Sequence, residues 1–179
     1  MHRGSVTSLA IHGHILYTGS IDGSVKAWDL ENSYSSVESL CIESTAKDFP
    51  PVGSLAVIGD LLCIGNYASR IMVYGLRGDS PKYITDLVGH CGEVHAMASH
   101  DGILYSGAHD WTCLNMDSNE VFSVLVWDLN TMNADIKGCC CHRPKTSLRC
   151  HNWNINCIKV HDGKLYTASS DGTVNVWII

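Results

Sequence analysis

Serine or threonine, histidine and aspartate recur together in this sequence, and these residue types can form a hydrolytic triad. His90, Ser106 and Asp110 form one such set, and two further sets have the same spacing between histidine, hydroxyl and aspartate. An active site needs a triad once, whereas this set occurs three times. The repetition favours a structural role, and we predict that the chain is not an enzyme.

The sets lie within an internal repeat of short strands. In the clearest copies a strand rich in small residues, Thr and Tyr leads into Asp22-Gly23 or Asp171-Gly172, and an alternating strand follows. This pattern is typical of a β-hairpin. Another short strand precedes each hairpin, and sustained helical periodicity is absent. The sequence therefore predicts an all-β fold of four repeats, at about 2–45, 48–88, 89–149 and 150–179.

The marker residues resemble those of the WD-repeat family of β-propellers, whose four-stranded blades are about 40–45 residues long. The resemblance covers nearly the whole chain and rests on Trp28-Asp29, Trp127-Asp128, Gly89-His90 and the aspartate turns. It implies a propeller-like arc of about four blades of antiparallel strands. The fourth repeat ends just after Trp177 without an outer strand. We therefore expect an open or incomplete arc and a fragment of a longer protein.

The resemblance implies that each repeated set joins a tryptophan in a buried hydrogen-bond chain, from aspartate through histidine and hydroxyl to the indole N–H. Such a network fixes blade geometry because every buried donor finds an acceptor. The second repeat has Ile64, Ala68 and Tyr74 at matching positions, with Asp48 in place of the histidine, and should depend on apolar packing. The predicted tetrads are His2, Thr18, Asp22 and Trp28; His90, Ser106, Asp110 and Trp127; and His151, Thr167, Asp171 and Trp177.

The function implied by the resemblance is a non-catalytic platform for protein–protein interaction, such as an adaptor or the substrate-recognition part of a ubiquitin ligase. Matched by position, the partner-binding face is formed by the loops entering the first strands and by the hairpin turns. Tyr67 and His95 are the expected anchors, joined by Trp111 from an insertion at about 111–123 in the third hairpin. The predicted face comprises Ser5, Thr7, Ile21, Tyr67, Glu93, His95, His109, Trp111, Asn154, Asn156 and Ser170, with Pro51 and Gly53 at matching positions.

The cysteines suggest an alternative function, a zinc-binding or redox-sensitive module built on Cys139, Cys141, His142 and Cys150. Structural zinc sites usually space paired thiolates by two to four residues, and adjacent cysteines do not easily converge on one ion. A thiol-rich loop between the third and fourth blades is therefore favoured, and no cofactor is expected. Nine cysteines without an export signal indicate mostly reduced thiols, in the cytoplasm or the nucleus.

The charge and hydropathy of the chain exclude two classes of partner. The formal net charge of −6 at pH 7 argues against nucleic-acid binding through a basic face. No apolar run approaches the ~18 residues that a membrane span needs. The expected partners are proteins or peptides, and open blade edges offer a route to self-association.

Overall fold

The computed structural model describes residues 1–31, 36–40, 50–78, 80–110, 122–130 and 143–179, and every regular element in these ranges is a β-strand. The prediction of an all-β fold is confirmed. No helix in these ranges is long and apolar enough to cross a membrane. The strands are β1 (Val6–His12), β2 (Ile15–Ser20), β3 (Val25–Asp29), β4 (Ser36–Leu40), β5 (Val52–Ile58), β6 (Leu61–Asn66), β7 (Arg70–Gly75), β8 (Lys82–Val88), β9 (Val94–His100), β10 (Ile103–Ala108), β11 (Phe122–Asp128), β12 (Thr146–His151), β13 (Ile155–His161), β14 (Lys164–Ser169) and β15 (Val174–Ile178).

These strands form four antiparallel sheets that follow one another along the chain. Strands β1–β4, β5–β8 and β9–β12 make three four-stranded sheets, and β13–β15 make a three-stranded one. Because each strand pairs with its sequence neighbours, every sheet is a meander, as the repeats predict. We call the sheets blades 1 to 4. The described part of the fourth blade has three strands, in line with the sequence prediction.

The hairpin turns of blades 1 and 4 depend on their Asp-Gly pairs. Gly23 has a φ of 80° and Gly172 a φ of 81°, a left-handed conformation that glycine adopts at little cost. The Gly23 N–H donates to the Ser20 carbonyl at 3.1 Å, and the Gly172 N–H to the Ser169 carbonyl at 3.2 Å. The local sequence therefore sets both turns, and with them the register of the strands on either side.

The core lies between blades rather than within them. The inner strands are neighbours in the order β1, β5, β9 and β13, and three apolar clusters occupy the three spaces between successive blades. Between blades 2 and 3, the Trp127 and Leu104 side chains pack with Ile71 and Leu87, all of them at most 1% exposed. Each such aliphatic side chain contributes about 1.5–3 kcal/mol through burial, so each blade is stabilised by its neighbours.

Blade 2 uses its tetrad positions for apolar packing. The buried Ile64 and Tyr74 belong to the cluster shared with blade 1. Its hairpin turn is closed by Asn66, whose side-chain oxygen accepts from the N–H groups of Ala68 and Arg70 at 3.0 and 3.2 Å. Residue 48 lies outside the described ranges. The described contacts of this blade match the expectation of a repeat without the polar network.

The third hairpin resumes earlier than the sequence indicates. We assigned Phe122 to an insertion, but β11 begins at this residue, which is buried and pairs with His151 of β12. The aromatic ring joins the apolar cluster between blades 3 and 4. Burial of this large side chain explains why β11 begins two residues before Val124.

The outer faces of blades 1 and 4 are apolar and exposed. Leu9 and Ile11 alternate along β1, and Val174, Val176 and Ile178 alternate along β15, with exposed fractions between 55% and 92%. The intervening residues Ala10 and Trp177 pack towards the neighbouring blade. In the described ranges the blades therefore form an open arc with an apolar face at each end.

Candidate functional site

Blade 3 contains a complete hydrogen-bond tetrad. His90 Nδ1 lies 2.8 Å from Asp110 Oδ2, and His90 Nε2 lies 2.7 Å from Ser106 Oγ. The indole N–H of Trp127 donates to the same Ser106 oxygen at 2.7 Å. Burial opposes ionisation of Asp110, but hydrogen bonds from His90 and from backbone N–H groups outweigh it and lower its pKa. The Ser106 hydroxyl is fully buried and committed to this network, which suits a structural role rather than attack on a substrate.

In blade 1 the histidine forms its hydrogen bond with a serine instead of with the predicted aspartate. His2 Nε2 lies 2.6 Å from Thr18 Oγ1, which also accepts the Trp28 indole N–H at 2.9 Å. His2 Nδ1 forms its hydrogen bond with Ser24 Oγ at 2.8 Å, while Asp22 Oδ1 is 3.7 Å from it. The Ser24 hydroxyl donates to Asp22 at 2.6 Å, so the aspartate acts through the serine.

Blade 4 has the aspartate end of the tetrad and lacks the tryptophan end. His151 Nδ1 lies 3.1 Å from Asp171 Oδ2, and His151 Nε2 lies 2.8 Å from Thr167 Oγ1. The predicted bond from Trp177 to Thr167 is wrong, because the buried Trp177 N–H has no hydrogen-bond partner among the described residues. Trp177 packs on the apolar cluster between blades 3 and 4, so packing rather than hydrogen bonding positions its ring.

A β-bulge recurs at the start of the inner strand of every blade. The register shifts between Val6 and Ser8, between Val52 and Ser54, and between Ile155 and Cys157, and in blade 3 it passes over the residue between Val94 and Ala96. A bulge leaves one residue unpaired and turns its side chain out of the regular alternation. The four bulged residues are Thr7, Gly53, His95 and Asn156.

A backbone hydrogen bond beside each bulge ties the inner strand to the end of the second strand. The His109 N–H donates to the Glu93 carbonyl at 2.9 Å, and the same bond joins Ile21 to Ser5, Tyr67 to Pro51 and Ser170 to Asn154 at 3.0 Å. The structure thus brings the described residues of the predicted partner face together at one end of the blades. We call this set the bulge rim; it comprises Ser5, Thr7, Ile21, Pro51, Gly53, Tyr67, Glu93, His95, His109, Asn154, Asn156 and Ser170.

The side chains of the bulge rim in blade 3 form a compact polar cluster. Glu93 Oε2 lies 3.0 Å from His95 Nε2 and 3.5 Å from His109 Nδ1. The two imidazole rings are in contact, with centroids 4.0 Å apart, and Tyr67 of blade 2 lies 4.8 Å from the ring of His95. The bulge at His95 places its ring beside His109 rather than above the sheet. The two imidazole rings therefore converge on one carboxylate oxygen of Glu93, and the Tyr67 ring lies beside them.

Burial and neighbouring charge tune this cluster. Burial, and then the adjacent His95, lower the pKa of His109, against the opposing effects of Glu93 and of a hydrogen bond with Asn156. Burial, followed by the Glu93 charge, raises the pKa of Tyr67. At neutral pH the site therefore presents a neutral His109 and a neutral tyrosine.

A cavity of about 300 Å³ opens beside the cluster. It is lined by Tyr67, Ser69, Cys91, Gly92, Glu93 and His109. Gly92 is required here because a Cβ atom would collide with the carbonyl group of His109. Cys91 is disulfide-bonded, which corrects the expectation of reduced thiols at this position. The cavity is a shallow polar pocket with one aromatic wall.

Several predicted site residues fall outside the described ranges. These are Trp111, Cys139, Cys141 and His142. Cys150 is described: its thiol donates to the Phe122 carbonyl at 3.5 Å, and burial raises its pKa to about 11. The described ranges therefore include one of the four residues of the proposed zinc module.

Sequence reasoning missed two residues of this region. Trp153 lies just before the bulge of blade 4 with its side chain 60% exposed, and its carbonyl accepts from Ser169 Oγ at 3.0 Å. Ser69 lines the cavity with a φ of 64°. A tryptophan directly before the predicted inner strand of blade 4 was a detectable signal, whereas the backbone of Ser69 had none in the sequence.

The meander blades, the inner-strand bulges and the Asp–His–Ser/Thr–Trp network together define a β-propeller arc of the WD type. The family model described as "WD domain, G-beta repeat" matches residues 1–29 and 142–177. Human F-box/WD repeat-containing protein 9 is 26% identical over 199 residues, covering 99% of this chain and 42% of the relative. Zinc finger CCCH domain-containing protein 62 of Arabidopsis thaliana is 26% identical over 162 residues, covering 90% and 33%. The chain is thus similar to the WD-repeat family, through the family model in its first and last repeats and through F-box/WD repeat-containing protein 9 over nearly its whole length.

Solved structures share the fold. The arc matches the structure of U3-55K with a TM-score of 0.77 at 21% identity, covering all of this chain and 50% of that one. The computationally designed Ika4 protein matches with a TM-score of 0.70 at 21% identity, covering all of this chain and 94% of that one. The chain thus spans between a third and just over two fifths of the two curated relatives, and half of U3-55K.

Proposed function

We propose that the chain is a non-catalytic interaction platform that binds a segment of a partner protein across the bulge rim. The observation that carries the proposal is the fourfold recurrence of one rim geometry with a different residue at each bulge. A repeated scaffold that varies only its outward residues is suited to specific recognition. WD40 repeats indicate protein–protein interaction scaffolds, and such scaffolds are typically non-catalytic.

The anchor region of the proposed interface is the contact between blades 2 and 3. The rings of Tyr67 and His95 are in tilted contact there beside the polar cavity, and both are partly exposed. Aromatic side chains in a partly enclosed pocket dominate the energetics of many interfaces, because they bury a large area with few rotatable bonds. Glu93 and His109 supply hydrogen-bonding groups at the same place. A partner that inserts one side chain here meets both apolar and polar surface.

The larger context that we propose is a multidomain protein in which this arc recognises the partner, as in a substrate receptor of a ubiquitin ligase. One relative, human F-box/WD repeat-containing protein 9, is named for an F-box. The cytoplasm or the nucleus is the compartment that we propose. In cells that express the longer protein, Tyr67→Ala should reduce ubiquitination of the captured partner. Unchanged ubiquitination together with lost capture would contradict the ligase role and leave the platform intact.

The test of the rim is comparative capture from a cell lysate with immobilised chains. The rim variants are Tyr67→Ala and Trp111→Ala, and the matched controls are Asp60→Ala and Lys164→Ala, at the opposite ends of the inner hairpins. The amount of partner protein captured by Tyr67→Ala should be at least tenfold lower than the amount captured by the wild type and the controls. This is the effect expected when an anchor worth about 1.4 kcal/mol or more is removed. Loss with Lys164→Ala instead, at equal folding, would contradict the assignment of the face.

A further inference from the structure

We infer that Glu93, His95 and His109 form a binding site for a divalent transition metal ion, with Zn²⁺ as the best fit. The site lies on the bulge rim, and its test uses the metal alone, so it does not depend on partner binding. It is also separate from the cysteines that suggested a zinc module. The carrying observation is the juxtaposition of one carboxylate and two imidazoles whose ligand atoms all lie within 4.8 Å of one another.

Two of the three distances between the ligand atoms are close to those of a tetrahedral site, and all three lie within 4.8 Å. With zinc–ligand bonds of about 2.0–2.1 Å, adjacent ligand atoms are about 3.3–3.4 Å apart. Glu93 Oε2 is 3.0 Å from His95 Nε2 and 3.5 Å from His109 Nδ1. Each imidazole already directs one nitrogen to the same carboxylate. An ion at their centre therefore needs small side-chain shifts and no change of backbone.

The donor set selects the class of ion. Imidazole suits zinc, copper, iron and nickel, whereas calcium and magnesium require mostly oxygen ligands. Three protein ligands leave a fourth position, as in zinc sites that bind water or a ligand. Here that position lies towards the cavity walled by Tyr67. Cys91 is disulfide-bonded and therefore is not a fourth ligand.

The surroundings hold the ligands in place. His95 is fixed by the bulge and by its contact with Tyr67, and the His109 ring forms a hydrogen bond with Asn156 of blade 4. Asn156 is itself anchored by donating to Ser170 Oγ at 2.8 Å. Partners of this kind orient metal-ligating imidazoles and typically change metal affinity by about 10–100-fold. Blades 2, 3 and 4 therefore all contribute to one site.

The experiment is titration of the full chain with Zn²⁺ and with Co²⁺ in a Cys139→Ser/Cys140→Ser/Cys141→Ser background, which removes the three adjacent thiols that could compete for the ion. Calorimetry should give one zinc ion per chain. His95→Ala, His109→Ala and Glu93→Gln should each weaken binding at least tenfold, and Asn156→Ala should weaken it less. The controls are His100→Ala and His161→Ala, exposed histidines that also lie beside an aspartate. The cobalt spectrum should show a tetrahedral site without a sulfur-to-metal charge-transfer band.

Two results would contradict the proposed metal site. Zinc affinity that is unchanged by both His95→Ala and His109→Ala in folded protein would overturn the site. Absence of binding by the background chain would overturn it as well, and the cluster would then be a hydrogen-bonded group only. The two proposals fail separately: partner capture unchanged by Tyr67→Ala would contradict the interaction platform, whereas zinc affinity unchanged by the histidine variants would contradict the metal site.

Discussion

The indole N–H of Trp28 donates to the hydroxyl of Thr18 at 2.9 Å, and the same two positions in blade 4 do not form this bond. There, Thr167 bonds to His151, while the buried Trp177 N–H has no partner among the described residues. The two blades carry the same residue types at these positions and differ in how the ring is packed. The energy of the bond between Trp28 and Thr18 can therefore be measured with the unbonded Trp177 and Thr167 as the control pair.

We expect a double-mutant cycle of Thr18→Val and Trp28→Phe to give a coupling of about 0.5–1.5 kcal/mol, the usual net value of a hydrogen bond. The cycle of Thr167→Val and Trp177→Phe should give a coupling close to zero. The measurement is the free energy of unfolding in urea for each single and double variant. Equal coupling in the two blades would show that the Trp177 bond forms in solution.

Asp171→Ala should destabilise the protein by about 1–3 kcal/mol, because the buried His151 Nδ1 loses one of its two partners, keeping Thr173 Oγ1 at 3.0 Å, and the Asn152 N–H loses its acceptor. Asp171 accepts from His151, whose side chain is fully buried, and from the backbone N–H of Asn152. Asp60→Ala is the control, because Asp60 pairs with the exposed Arg77 and surface pairs contribute about 0–1 kcal/mol. Equal shifts of the denaturation midpoint would argue against a structural role for the tetrad aspartate.

The contribution of Asp171 should also disappear in acid. Burial opposes its ionisation, but hydrogen bonds from Thr173 and from the Asn152 N–H outweigh burial and hold its pKa well below its usual range. A pKa lowered by folding gives stability that is present above the unfolded value of about 3.9 and is lost as the pH falls towards the folded value. The difference in midpoint between wild type and Asp171→Asn should therefore shrink below about pH 4. A difference that stays constant from pH 7 to pH 2.5 would contradict this explanation.

The chain 1–179 should associate with a second copy through its two end faces. Leu9 on β1 and Val176 on β15 belong to exposed apolar faces at opposite ends of the arc, and such faces favour association. A head-to-tail pair of arcs would bring together eight blades. Light scattering across a concentration series should show a dimer. Leu9→Glu and Val176→Glu should each weaken it, while Lys164→Glu should not; a monomer at all concentrations contradicts the prediction.

Much of the fold could be predicted from local sequence because propeller blades are built from local contacts. The Asp-Gly pairs at 22–23 and 171–172 determine tight turns, since glycine alone adopts a φ near 80° without strain. Alternating apolar residues then determine which face of each strand is buried. The recurrent spacing of His90, Ser106 and Asp110 likewise identified a network whose members pair across a single blade.

The rest was decided by tertiary structure. The bulges of the inner strands have no marker of their own in the sequence, so the convergence of His95 and His109 on Glu93 appears only in the folded blade 3. The contact of Tyr67 with His95 appears only once blades 2 and 3 are packed together. The unpartnered Trp177 N–H depends on the position of the ring in the cluster between blades. The sequence by itself thus determined the strands, turns and network positions, which depend on short-range geometry. Packing between blades determined where side chains meet, because those distances are set by residues far apart in the chain.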